Sequence, residues 1–344
     1  MGCSAKKALA DPEALAVRRE LFDLQYGFVR TQALYVCVRL GLPDLIGSQP
    51  IADDELAAQV SADPLSLRRL LRFLASFGVF AEVEPGRFAA TRLSGGLRTN
   101  TPLSLRDLVL MNGSELYRAW GEALYSIRTG RSAFEHVYGK SHFAYLDEHP
   151  AAAKTFNQAM ASGVDAKVAP LLAYDWDGID AVADIGGGTG SVLVQLLKTN
   201  QRLRGVVFDL PHAAGKARAT IGEAALTDRC EFVAGDFFTD RLPAADVYVM
   251  AQILHDWDDA HAAPILDNCR RSLGDRGRLL LVEQILSDSP DRGILALDLQ
   301  MLVILGGRER TETDWRTLLR AGGFDLQRII PMNTPFNLIE ATPA

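Results

Sequence analysis

The feature that most constrains this chain is a short apolar run that ends in an acid and its neighbour and then breaks into glycines. Residues 181–185 lead into Gly186-Gly187-Gly188-Thr189-Gly190, and an apolar-periodic stretch follows at 192–197. That order is strand, tight turn, helix. Glycines at such a turn let the backbone approach a ligand closely, and the N–H groups of the helix start face whatever lies there. Beyond Tyr174, further short apolar runs at 205–208, 230–233, 246–250 and 278–282 alternate with helical stretches. Strands alternating with helices predict an α/β fold, a doubly wound and mostly parallel sheet with both faces covered.

The upstream half has a different texture. Leu15, Leu21, Phe22, Leu24, Phe28, Val29, Leu34, Val36, Val38 and Leu40 recur at helical spacing until Gly41, which predicts two helices within 12–48. A short helix over 53–60, the turn Ala62-Asp63-Pro64, a helix over 65–77 stopped by Gly78, and strands at 79–84 and 87–91 around Pro85-Gly86 follow. Helix, turn, helix and hairpin together predict a mainly α winged-helix module. Residues 103–173 continue as helices rich in aromatics, among them Tyr117, Trp120, Phe134, Phe143, Tyr145 and Phe156. Such rings wall a pocket for an aromatic guest or simply fill a core. The expected organisation is a winged-helix domain over 1–102, a helical connector over 103–173 and a ligand-binding α/β domain over 174–344.

A glycine loop alone does not distinguish a dinucleotide site, since Gly186, Gly188 and Ser191 nearly satisfy GxGxxG. Three acids do. Asp184, just before the first glycine, would repel a pyrophosphate yet suits an ammonium. Asp209 ends the second strand, where a carboxylate takes both hydroxyls of a ribose. Gly235-Asp236-Phe237 ends the third, offering a carboxylate to an adenine amino group and a ring to its face. A ligand with an amino-acid tail, a ribose and an adenine fits this series, and that ligand is S-adenosyl-L-methionine.

The fourth strand leads into Leu254-His255-Asp256-Trp257-Asp258-Asp259, at the carboxyl end of the sheet, where open α/β folds bind ligands. An imidazole there can serve as a base at neutral pH for a phenol of pKa about 10, and sulfonium chemistry needs no metal because the leaving thioether is neutral. His136, His142, His149, His212 and His261 read as capping or surface residues, and Asp258 and Asp259 as solvated acids of a helix start.

Composition removes other classes. Lys and Arg number 36 against 43 Asp and Glu, a net charge of −7, so the excess of basic charge that binds a phosphate backbone is missing. A regulator reading DNA through Arg68, Arg69 and Arg72 is disfavoured on that ground, and a dehydrogenase by Asp184 and the 235–237 segment. Cys3, Cys37, Cys230 and Cys269 form no CxxC pair, which points to a reducing compartment and no zinc site. A magnesium-dependent catechol methyltransferase would need converging oxygen ligands, but Asp267 and Asn268 are adjacent on a helix and point about 100° apart. With no apolar run of about 18 residues and no secretory h-region, the expectation is a cytoplasmic protein with no membrane or nucleic-acid partner. Met1-Gly2-Cys3-Ser4 fails as a myristoylation start because Lys6 stands where Ser or Thr is required.

From about residue 21 to its end, the chain resembles the plant-type small-molecule O-methyltransferases, the family of caffeate, flavonoid and hydroxyindole methyltransferases with many bacterial natural-product members. The resemblance rests on DIGGGTG at 184–190, FDLPH at 208–212, GDFF at 235–238, HDW at 255–257, Val282-Glu283 and GGRERT at 306–311. It implies a C-terminal Rossmann-like methyltransferase domain and an N-terminal winged-helix dimerisation domain, whose first helices interlock with the partner of a homodimer and close its pocket. It implies His255 as catalytic base, oriented by Glu283 and Glu309. The cofactor and its product S-adenosyl-L-homocysteine would be bound by Asp184, Gly186, Gly188, Gly190, Asp209, Leu210, Gly235, Asp236, Phe237 and Trp257. Phe156, Met160, Gln252, Asp256 and Met301 would line the pocket of a hydroxylated aromatic acceptor. Two departures, Ala251 for a lysine and Gln252 for a tryptophan of the plant members, argue against phenylpropanoid acceptors. Relatives that drifted to decarboxylation or hydroxylation supply the alternative chemistry.

Overall fold

The structure is a computed structural model, and its described residues are 11–344. Cys3 and the Met1-to-Lys6 start lie outside them. The chain divides into two compact units, Met1–Glu115 and Leu116–Ala344, so the division falls inside the helical stretch 103–173.

The first unit holds α1 (Pro12–Gln25), α2 (Gly27–Arg39), β1 (Ile51–Ala52), α3 (Asp53–Gln59), α4 (Pro64–Ala75), β2 (Phe80–Glu84) and β3 (Arg87–Ala90). Its three strands lie in the order β1-β3-β2. Asp63 caps α4 by accepting from the Ser66 N–H at 2.8 Å, and Pro64 occupies the first turn, where a missing N–H costs nothing. Leu67, Leu71 and Leu74 put one face of α4 into the core. Arg68 on its other face is ion-paired with the buried Asp53, and Arg72 with Glu82 at 3.1 Å. By contrast, α1 buries none of its residues within this unit: Leu15, Leu21, Phe22 and Leu24 are all exposed.

The second unit begins with helices, of which α5 (His142–Glu148), α6 (Pro150–Ala161) and α7 (Val164–Leu172) bear on the site. Then come β4 (Ala181–Ile185), α8 (Ser191–Thr199), β5 (Arg204–Asp209), α9 (Ala214–Glu223), β6 (Cys230–Ala234), β7 (Val247–Ala251), α10 (Asp259–Leu273) and β8 (Arg278–Glu283). The chain ends with β9 (Ile285–Leu286), α11 (Arg292–Leu305), β10 (Arg310–Thr311), α12 (Glu312–Ala321), β11 (Phe324–Ile330) and β12 (Asn337–Pro343).

Seven strands form one sheet in the order β11-β12-β8-β7-β4-β5-β6. The five from β8 to β6 are parallel, and β12 and β11 extend the sheet antiparallel from β8. Period-two alternation sorts the strand residues onto two cores. Val182, Val207, Val249 and Leu280 pack with α7, α8 and α9, whereas Ala183, Phe208, Met250 and Leu281 pack with α10 and α12. Both faces are therefore covered, as the apolar strands require. The connections run outward in opposite directions from β4, to β5 on one side and to β7 on the other, which opens a crevice at the carboxyl ends of β4 and β7.

Candidate active site

The glycine loop forms one wall of that crevice. Gly186 has φ +75°, and a Cβ there would lie 2.6 Å from the Ile253 side chain, so only glycine fits the turn. Beneath the loop Asp184 is buried and its Oδ2 has no hydrogen-bond partner. Burial, then the charge of Asp209, pushes the Asp184 carboxyl up to about 7, with Lys167 acting the other way. Asp209 accepts from the Gly188 N–H through Oδ2 and from the Leu210 N–H through Oδ1, both at 2.7 Å. Burial raises its pKa and those donors oppose the rise. The carboxylate is thereby fixed with lone pairs remaining for further donors. Gly190 caps α8, and the Gly235 N–H donates to the Asp209 carbonyl at 3.0 Å. Asp236 accepts from the Phe238 N–H at 2.8 Å, and the rings of Phe237 and Phe238 meet Trp257 edge-on at 6.2 and 4.8 Å. The structure thus brings together a glycine cradle, an unpartnered buried acid, a fixed carboxylate on the next strand and an aromatic cluster beyond it.

The other wall carries the acid/base groups. After β7, Gln252 takes a left-handed conformation, φ +58°, while its N–H donates to the Val282 carbonyl at 3.0 Å. A non-glycine residue held there is backbone strain at a ligand-facing strand end. It sends the chain out of the sheet into a 3-10 turn, Leu254–Asp256, that presents His255. His255 is buried; its Nδ1 lies 2.7 Å from Glu309 Oε1 and its Nε2 lies 3.3 Å from Asp256 Oδ1. Glu283 ends β8, fully buried, and accepts from the Leu254 N–H at 3.2 Å. Glu309 is delivered by a loop pressed onto the histidine backbone. A Cβ on Gly307 would lie 2.2 Å from the His255 carbonyl oxygen, and the Arg308 N–H donates to that oxygen at 2.9 Å. The Glu309 N–H donates to Asp298 at 2.8 Å.

Charge dominates this cluster. Burial works against a charged His255, but Asp256, Glu283 and Glu309 outweigh it and the imidazole is pushed up to about 9. Burial likewise pushes Asp256 up to about 6 and Glu283 up to about 7, partly relieved by the histidine. Among the described residues, His255, Glu283 and Glu309 are also the set whose ligand atoms all come within 4.8 Å of one another.

Several residues escaped the reading of the sequence or sit differently. Lys167 on α7 faces Asp256, Glu283 and Asp184, and burial lowers its pKa. Arg310, buried, binds the Leu254 and Trp257 carbonyls at 2.7 and 2.8 Å and Asp259 at 2.8 Å, which locks the segment around His255. Asp259 is therefore more than a solvated helix-start acid, although Asp258 does cap α10. His142 is not at the surface: it stands one residue inside the Ser141 cap of α5 and turns inward, 3% exposed, onto Phe134 and Phe156. Burial pushes it down to about 4, and its Nε2 has no partner. Phe156 is linked through Phe143 to Trp257, Met301 is buried on α11, and Met160, at the end of α6, is exposed. Asp267 and Asn268 do diverge: Asp267 pairs with Arg271, and Asn268 donates to the carbonyls of Phe237 and Asp240. Cys37, Cys230 and Cys269 are buried free thiols, and none of the described helices is long and apolar enough to cross a membrane.

Comparison with known proteins agrees with this geometry. The O-methyltransferase domain family matches residues 120–325, and the O-methyltransferase dimerisation domain matches residues 22–100. The chain is 43% identical over 326 residues to a phenazine O-methyltransferase of Lysobacter antibioticus, covering 94% of this chain and 95% of that one. It is 40% identical to the O-demethylpuromycin-O-methyltransferase of Streptomyces alboniger, over 97% of this chain and 92% of that one. An O-methyltransferase from neocarzinostatin biosynthesis, solved with S-adenosylmethionine and 2-hydroxy-5-methyl naphthoic acid, superposes with a TM-score of 0.84 at 31% identity, covering 92% of this chain and 96% of that one. Sequence, fold and site thus place the chain in the S-adenosylmethionine-dependent, plant-type small-molecule O-methyltransferase family.

Proposed function

We propose that this enzyme methylates a phenolic hydroxyl of an aromatic small molecule in bacterial secondary metabolism of the antibiotic or polyketide type, with His255 as general base, and that it works as a homodimer. The observation that carries the reading is the buried 2.7 Å contact of His255 Nδ1 with Glu309 at the mouth of the crevice. With Nδ1–H donated to Glu309, the lone pair of the neutral imidazole lies on Nε2, the nitrogen left to take a proton from an acceptor. When bound, the sulfonium supplies an electrophilic methyl and leaves as a neutral thioether, so the chain itself must align the acceptor and remove one proton. Glu283 and Glu309 stabilise the imidazolium that results. The 3.3 Å contact between Nε2 and Asp256 is long for a charge-assisted bond, and an acceptor hydroxyl replaces it. Phe156, Gln252, Asp256, Met160 and Met301 form the acceptor side of this reading, a largely apolar wall with polar groups gathered near the histidine. No step calls for a metal, since the leaving group is already neutral.

The test is methyl transfer from isotopically labelled S-adenosylmethionine to a panel of hydroxybenzoates, hydroxynaphthoates and hydroxyphenazines. The expected product is a labelled methyl ether formed one-for-one with S-adenosylhomocysteine. A product that loses carbon dioxide or gains oxygen, with no label transferred, would establish the drifted chemistry instead.

A further inference from the structure

Lys167 lies in the first half of α7, and α7 packs against α8 and β8, which carry the glycine loop and Glu283 at their ends toward the crevice. Its side chain is partly buried, and it lies within Coulomb range of Asp184, Asp256 and Glu283. No described residue gives its ammonium a hydrogen bond or an ion pair. Its three ammonium donors are thereby left for a ligand, beside three acids.

The remaining cations nearby are committed. Arg310 spends its guanidinium on Asp259 and on the carbonyls of Leu254 and Trp257, and His255 lies between Glu309 and Asp256. Yet an amino-acid tail brings a carboxylate as well as an ammonium into a crevice whose walls already carry Asp184, Asp256, Glu283 and Glu309. Anionic walls attract the ammonium and the sulfonium and repel the carboxylate. That carboxylate needs a cation, and a second unmet charge is present across the loop, since the buried Oδ2 of Asp184 has no partner.

We propose that Lys167 binds the carboxylate of the donor's amino-acid tail, so that Lys167 and Asp184 together recognise the two opposite charges on one α-carbon. This rests on the S-adenosylmethionine reading of the site and adds to it a residue from outside the glycine loop. It makes α7 a part of donor recognition, and it gives a ligand to a half-buried ammonium that has no protein partner among the described residues.

The test is calorimetric binding of S-adenosylhomocysteine, of its decarboxylated analogue, and of 5′-methylthioadenosine, which lacks the amino-acid tail, to the wild type, to Lys167→Met and to Lys167→Arg. Wild type should lose about tenfold or more in affinity when the ligand's carboxylate is removed, the size of a charge-assisted contact. Lys167→Met should bind S-adenosylhomocysteine as weakly as wild type binds the analogue and leave 5′-methylthioadenosine within about twofold, and Lys167→Arg should recover most of the loss. Equal binding of S-adenosylhomocysteine and its decarboxylated analogue by the wild type overturns the proposal, and so does an equal weakening of all three ligands in a folded Lys167→Met. Should Lys167→Met not fold, the pair of ligands on the wild type decides. A wild type that binds none of the three refutes the donor reading itself, a distinct outcome.

Discussion

At the scale of single residues, the site is a problem in charge. Three acids push the imidazole of His255 up to about 9, so in the unliganded protein it carries a proton at neutral pH and cannot yet act as a base. The 2.7 Å contact of Nδ1 with Glu309 has the length of a charge-assisted bond, and the Asp256 carboxylate lies 3.3 Å from Nε2. A sulfonium arriving nearby is a positive charge, which disfavours a second one and lowers the pKa. The sign follows: below the bound-state pKa the histidine stays protonated and nothing is released, whereas between that value and about 9 donor binding expels a proton. The binding enthalpy of S-adenosylmethionine at about pH 8 should therefore differ between buffers of different ionisation enthalpy, and the difference should vanish in His255→Gln. Identical enthalpies in both buffers for the wild type would contradict this electrostatic picture. His255 stood out in the sequence by its place after the fourth strand, whereas Glu283 and Glu309 were joined to it by the family resemblance, with a strand end and a glycine pair agreeing. Lys167 was not, since nothing in its neighbours along the chain indicates that α7 lies over three acids. The inward turn of His142 was hidden for the same reason: a helix start exposes or buries its first residue according to what packs there.

At the scale of elements, position is set by short irregular pieces between regular ones. β4, the glycine loop and α8 were readable because their glycines, apolar runs and helical period are all local signals, as were β2 and β3 around Pro85-Gly86. β11 and β12 were not: β12 pairs antiparallel with the distant β8 and β11 pairs antiparallel with β12, and the burial along β11 does not alternate cleanly. The loop that carries Glu309 depends on a contact no pattern reveals, Gly307 lying flat on the carbonyl of His255. Gly307→Ala would force that loop outward, since a Cβ cannot sit 2.2 Å from an oxygen. The expected result is a fall in kcat of about 10- to 100-fold, from lost alignment of Glu309 with the imidazole, with S-adenosylhomocysteine affinity unchanged. Wild-type kcat in that variant would show that Glu309 does not position the base.

At the scale of the whole molecule, the first helix is the unsolved surface. Exposed Leu15, Leu21, Phe22 and Leu24 give α1 an apolar character with nothing of its own unit to cover it. Isolated exposed leucines are ordinary, but a contiguous set on a helix marks an interface. The dimerisation-domain match begins at residue 22, and on the homodimer reading this surface is expected to form part of the interface. Replacing Phe22 with Glu should place a charge in that interface and shift sedimentation from dimer to monomer at micromolar concentration. A variant that remains a dimer would remove α1 from the interface. The pairing of Arg68 and Arg72 with Asp53 and Glu82 also gives the helix that resembles a DNA reader a role within its own fold.

The most direct measurement compares His255→Ala with wild type on the acceptor that the panel identifies, following labelled methyl transfer alongside calorimetry with S-adenosylhomocysteine. Turnover should fall by about 10²- to 10⁴-fold, the usual contribution of a general base, while the affinity for S-adenosylhomocysteine changes by no more than a few-fold. Turnover at the wild-type rate in His255→Ala, with donor binding intact, would contradict the assignment of the base and with it the chemistry proposed for this site.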